Sequence, residues 1–173
     1  NLFINADDFG KTQSINNAIV NAFQYNYINS TTLMANMDFH EEAIELAHKH
    51  KFQNNVGIHL VLTEGDPLTD IKSVIPGLFS GNLSLKERLK LLMYPSARER
   101  KAIHNELSAQ IRKIKAQHIP ISHLDTHHQV HDMWGIISII KQLLKEHNIP
   151  SMRILNNLEI SSSRIKNGYR NFC

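Results

Sequence analysis

Two hydrophobic periods alternate along the first half of the chain. Leu2, Phe3, Ile4 and Ala6 form a short apolar run that ends in Asp7, Asp8, Phe9 and Gly10. Ile15, Ala18, Ile19, Ala22 and Phe23 then recur at helical spacing, with Thr12 or Ser14 available as the cap. An apolar run followed at once by a helix predicts a buried parallel strand whose end delivers Asp7 and Asp8 to a sheet edge. Ser30 to Ala35 predicts a second strand, Ala43, Ile44 and Ala47 a second helix to about His50, and Val56 to Leu62 a third strand with one polar side chain, His59. Strand, helix, strand, helix, strand is the order of right-handed crossover units, hence of an α/β protein with a parallel sheet.

The alternation stops at Thr63 to Leu83, where Gly65, Pro67, Pro76, Gly77 and Gly81 allow no sustained period and predict a long irregular loop leaving the edge that His59 approaches. Ser84 with Glu87, and Ser96 with Glu99, match the reciprocal helix-capping pattern. The second of these helices carries Ile103, Leu107, Ile111 and Ile114 to about Gln117. Ile121 to Asp125 predicts a fourth strand, a helix runs from about Asp132 to Asn148 and Pro150, and Ser151 to Leu155 predicts a fifth. The rest, to Cys173, has no clear period.

Composition narrows the class without naming the chemistry. The chain has 173 residues, 42% hydrophobic, enough for one domain with a sizeable core. Its net charge of +3 comes without a basic block interleaved with aromatics, which argues against nucleic acid. No apolar stretch is long enough to span a membrane and no leader pattern is visible, so the expected location is cytoplasmic. One cysteine, Cys173, gives no thiolate cluster. The eleven histidines do change the picture, because several crowd into one segment.

Three strand ends carry groups able to hold a metal: Asp7 and Asp8, then His59, then His123-Leu124-Asp125-Thr126-His127-His128-Gln129-Val130-His131. In a parallel sheet these ends share one face, where α/β folds place their sites. Two imidazoles and a carboxylate with open positions form a hydrolytic metal arrangement that favours zinc or another transition ion over magnesium. Taken singly, Asp7 or Asp8 serves equally well as a helix cap, His59 as a hydrogen-bonded core residue, and Gly57 or Gly10 as a bend or close approach. Their agreement at three strand ends is what points to a site.

Asn5-Ala6-Asp7-Asp8-Phe9-Gly10, Gly57-Ile58-His59-Leu60 running on to Leu62-Thr63-Glu64-Gly65-Asp66-Pro67-Leu68, and the histidine segment together resemble the YdjC-like carbohydrate deacetylases, which include chitooligosaccharide deacetylases. Ser30-Thr31-Thr32 matches the second strand of that family, and the likeness covers almost the whole chain as a single domain, residues 1–173. The resemblance implies a distorted (β/α) barrel of the glycoside hydrolase/deacetylase type, one divalent ion (Mg2+ or Zn2+), and hydrolysis of the acetamide of an N-acetylated sugar. It implies Asp8, His59 and His127 as ligands and Asp7 as base. His128 and His131 are then candidates for the acid, Asp125 for orienting a ligand, and Arg153 for contacting Asp7 or substrate. Gln129 stands where the family has a third consecutive histidine.

A barrel of this type takes ~250 residues, so five strands predict one incomplete at its C-terminus. An exposed apolar flank is then expected, covered by a neighbouring chain if the protein is a homodimer. Two other functions fit the same residues: a metal-dependent hydrolase of another amide or a phosphoester, and a non-catalytic sugar-binding or regulatory relative.

Overall fold

The computed structural model describes residues 2–80 and 84–153. Four parallel strands lie side by side in sequence order: β1 (Asn5–Phe9), β2 (Ser30–Leu33), β3 (Val56–Leu60) and β4 (Leu124–Thr126). Helices α1 (Gln13–Gln24) and α2 (His40–Lys49) make the first two crossovers, and α3 (Leu85–Met93) and α4 (Ala97–Lys115) the third, while α5 (Trp134–Glu146) follows β4. Met152 then bridges Leu124 in parallel, at the position expected for a fifth strand. The remainder of that strand, residues 154 and 155, and the chain to 173 lie outside the described residues.

The helices begin where local chemistry places their caps. Thr12 accepts from the Ile15 amide at the start of α1, which settles the choice between Thr12 and Ser14 and leaves both aspartates without a capping role. Ser84 with Glu87 and Ser96 with Glu99 each form the reciprocal box.

Alternation along the strands sorts the two sheet faces. Val56, Ile58 and Leu60 of β3, with Leu33 and Leu124, share the outward face and belong to one buried core with the stripes Ile103, Leu107, Ile111 and Ile114 of α4 and Ile136, Ile139, Ile140 and Leu143 of α5. Asn5, Asp7, Thr32, Gly57, His59, His123 and Asp125 share the opposite, concave face. The apolar strand read in the sequence therefore has a polar inner face, and its polarity is concentrated at His59.

The sheet is strongly curled. Laid flat, β1 and the Met152 strand would be four spacings, about 19 Å, apart. Instead the Arg153 guanidinium reaches Asp7 of β1 at 2.8 Å, and the Phe3 and His123 rings meet edge to face at 6.0 Å. This closure is that of a distorted barrel wall. Among the described residues β1 pairs only with β2, and Leu2, Phe3 and Ile4, just before it, stand 76, 70 and 44% exposed.

Several predicted boundaries move. Strand β1 starts at Asn5 instead of Leu2 and runs through both aspartates, β2 stops at Leu33 and β3 at Leu60, and β4 covers Leu124–Thr126 instead of Ile121–Asp125. Among its described residues the long loop contains one short 3-10 turn, Asp70–Ser73. It is fixed to α4 by Glu106, wholly buried, which accepts from the Leu68 and Thr69 amides, the Thr69 hydroxyl and Gln110. A buried carboxyl with four donors makes an anchor, so this loop is held in place despite its composition.

Candidate active site

Both aspartates face the concave side because β1 is bulged between them. Ala6 pairs with Thr31 and Phe9 with Leu33, so three steps on β1 match two on β2. The extra residue is taken up with Asp8 at φ 67, a left-handed conformation that aspartate tolerates. Alternation alone would send Asp8 outward; the bulge turns it back beside Asp7. Gly10, at φ 90, then turns the chain into the α1 cap.

The third ligand candidate is placed by a different device. His127 follows β4 directly, and the next two residues, His128 and Gln129, sit at φ 55 and 56. This double left-handed turn reverses the chain. It lets the His131 amide return to the Thr126 hydroxyl at 3.1 Å, with His131 Nδ1 on the same oxygen at 2.6 Å. The α5 helix consequently starts at Trp134, two residues later than the periodicity predicts.

Asp8 Oδ1, His59 Nε2 and His127 Nδ1 form a nearly equilateral triangle with sides of 3.3, 3.2 and 3.3 Å. Tetrahedral coordination at ~2.1 Å separates ligand atoms by about 3.4 Å. The spacing of the three groups therefore matches what one small divalent ion needs, and the donor set is one that zinc and its neighbours accept. Behind the triangle, His59 Nδ1 bonds Asp125 Oδ1, with the Thr32 hydroxyl 3.2 Å from both His59 Nδ1 and Asp125 Oδ2. A proton held on Nδ1 by a carboxylate leaves the Nε2 lone pair for a cation.

A second group of candidate ligand atoms, from Asp7, His59 and Asp125, lies within 4.8 Å. Arg153 Nη1 already sits among its carboxylates, 2.8 and 2.9 Å from the Asp7 oxygens and 3.4 Å from Asp125 Oδ2, so this position is filled by a side-chain cation. Asn5 Nδ2 also donates to Asp7 Oδ1, at 2.7 Å.

All eight site residues read from the sequence (Asp7, Asp8, His59, Asp125, His127, His128, His131 and Arg153) line one cavity of about 390 Å3. His123, though part of the histidine segment, does not join them: it packs on Phe3, bonds Ser122 and presses its ring against Gly57. Two residues not foreseen as site members adjoin the cavity's ligands. Glu64 Oε1 lies 2.7 Å from Lys11 Nζ and 2.5 Å from His127 Nε2, although His127 Nε2 is out of hydrogen-bond alignment. Both belong to loops with no periodic signal. Thr32, by contrast, was available from alternation along β2.

The charges suit a divalent cation. Asp7, Asp8, Glu64 and Asp125 face Lys11 and Arg153, four carboxyl groups against two bases, which leaves −2 with neutral imidazoles. Burial alone would push His59 down, but its hydrogen bonds to Asp125 and Asp8 outweigh burial and raise it to about 9. The hydrogen bond from His59 holds Asp8 down at about 2. Burial lowers His127 and His131, favouring the neutral imidazole in each.

A family model described as YdjC-like protein matches residues 1–172. The chain belongs to the YdjC-like family. Curated relatives named carbohydrate deacetylase include one from Vibrio parahaemolyticus, 38% identical over 149 residues, covering 86% of this chain and 57% of that protein. Another, from Clostridium beijerinckii, is 38% identical over 157 residues, 88% of this chain and 60% of that protein. The chain thus spans less than two thirds of the length of these YdjC-like relatives. A solved structure of a proposed cellobiose-phosphate cleavage protein from Enterococcus faecalis superposes with a TM-score of 0.72 over 98% of this chain and 62% of that one, at 24% identity, which confirms the shared fold. Among the described residues no helix is long and apolar enough to cross a membrane.

Proposed function

We propose that this YdjC-like chain carries the catalytic centre of a carbohydrate deacetylase, which hydrolyses the acetamide of an N-acetylated sugar or short oligosaccharide. The observation that carries the reading is the triangle of Asp8, His59 and His127 beside an aspartate that lies outside it. The relatives named carbohydrate deacetylase support the substrate class.

Asp8, His59 and His127 would hold one divalent ion, Zn2+ or another transition metal in preference to Mg2+. Such an ion supplies Lewis-acid stabilisation of the acetyl oxygen and lowers the pKa of water. Asp7, pinned by Arg153 and Asn5, takes the proton from the attacking water. As the carbon–nitrogen bond breaks, the leaving nitrogen needs a proton. His128, exposed, and His131, buried, both line the cavity, and either must be in its imidazolium form to give it, a form that burial disfavours for His131. Asp125 orients His59, and Arg153 bridges Asp7 and Asp125, offsetting one of their two charges.

The test is acetate release from diacetylchitobiose by the chelated protein and after addition of Zn2+, Co2+ or Mg2+, run beside phosphate release from a sugar phosphate. Metal-dependent acetate release is expected. Release of phosphate alone would move the protein to another hydrolase class, and binding of the sugar with no product in excess metal would make it a non-catalytic relative.

A further inference from the structure

Three loops from the carboxyl edge of the sheet converge on Glu64, a side chain without a part in the chemistry proposed above. Glu64 comes from the loop after β3. Its Oε1 lies 2.7 Å from Nζ of Lys11, in the turn after β1, and 2.5 Å from Nε2 of His127, after β4. Lys11 Nζ is also 3.8 Å from Asp8 Oδ2, the oxygen turned away from the triangle.

His127 presents Nδ1 to Asp8 and His59, so Nε2 is the nitrogen that must carry its proton when Nδ1 serves a cation. That Nε2 is buried and has no aligned hydrogen-bond partner. The two ligand imidazoles are thus treated unequally. His59 has Asp125 behind it, a buried carboxyl on the neighbouring strand. The carboxyl beside His127 Nε2 is that of Glu64, which is 34% exposed and held by a lysine.

We propose that Glu64, held by Lys11, is the positioning residue of His127, performing from a loop the task that Asp125 performs for His59 from a strand. The inference rests on Asp8, His59 and His127 being the ligands, and turnover does not enter its test. Outer partners of this kind set a ligand's tautomer and orientation, and their removal weakens metal binding ~10–100-fold. Because Glu64 belongs to a loop, the affinity of the site becomes tied to the placement of that loop.

The experiment is titration of the full chain with Co2+, followed by its visible absorption, and with Zn2+ against a competing chelator. Wild type, Glu64→Gln and Glu64→Ala are compared, the wild type and Glu64→Ala also in combination with Lys11→Met, and His127→Ala serves as the control. Glu64→Ala is expected to raise Kd about 10–100-fold, with Glu64→Gln, which keeps an acceptor oxygen, between it and wild type. Lys11→Met is expected to change Kd by a larger factor in the wild-type background than on top of Glu64→Ala, where only its direct effect on Asp8, 3.8 Å away, is left; equal factors in the two backgrounds would show that Lys11 does not act through Glu64. Unchanged Kd in both Glu64 variants overturns the proposal, including when they lower the melting temperature of the chelated protein, which marks a purely structural role. If Glu64→Ala does not fold, the near-isosteric Glu64→Gln decides by the same criterion. Loss of binding in His127→Ala with no change in the Glu64 variants rejects this inference alone, whereas full binding by His127→Ala rejects the ligand set and the inference with it.

Discussion

Arg153 Nη1 stands 2.8 Å from Asp7 Oδ1, although the two residues belong to opposite margins of the sheet, 146 positions apart in the chain. The contact exists because the sheet curls, and it places the proposed base under the control of a residue at the other end of the described fold. Asp7 touches Arg153 and Asn5 but lies outside the Asp8, His59, His127 triangle.

Replacing Asp7 by Asn should therefore separate turnover from metal binding. Acetate release is expected to fall by ~10²–10⁴, the usual worth of a positioned base. Metal Kd, measured by chelator competition, should stay within a few-fold of wild type. Loss of both together would make Asp7 a ligand.

Asp125→Asn is expected to act in the opposite sense, on the metal first. The amide still fits beside Thr32 and His59 but no longer offers a full charge to the Nδ1 proton. Metal affinity should drop ~10–100-fold, read from the same competition assay. An unaltered Kd would mean that His59 is held by packing alone.

The metal-free protein should show a pH signature in its thermal unfolding. His59 is raised from 6.5 to about 9 in the folded state, so its contribution is fully present below pH 6.5 and is lost as pH rises through 9. Asp8 is lowered from 3.8 to about 2, so its contribution is present above 3.8 and lost as pH falls through 2. The chelated protein should be stabilised most by this pair between pH 3.8 and 6.5. Metal binding, which displaces the His59 proton, should instead tighten as pH rises toward 9. Calorimetry of chelated and metal-loaded samples across this range checks both signs.

Gly57→Ala should destabilise the fold without touching the site directly. A Cβ at position 57 would stand 2.5 Å from His123 Cε1 and 2.7 Å from the His123 carbonyl oxygen, and the latter cannot move without breaking its bond from the Ile58 amide. A cost of ~1–3 kcal/mol is expected from such overpacking, measured by denaturant titration. A neutral result would show that β3 and β4 can part at this point.

Much of this was legible in the linear pattern. The apolar periods of α1, α4 and α5, the two capping boxes and the order of strands and helices are properties of neighbouring residues, so they survive without knowledge of the rest of the chain. The convergence of Asp8, His59 and His127 was also readable, because a parallel sheet puts every carboxyl end on one side. What the sequence could not decide depended on the path of the backbone between those ends. The bulge that turns Asp8 inward is set by register with β2, while the double left-handed turn after His127 and the packing of His123 on Phe3 are set by the path of the chain on either side of β4. The curl that joins Arg153 to Asp7, and the meeting of Glu64 with Lys11 and His127, arise only when three separate loops are packed over one edge. Local composition carries no record of that packing, since it is stabilised by contacts between residues that share no period.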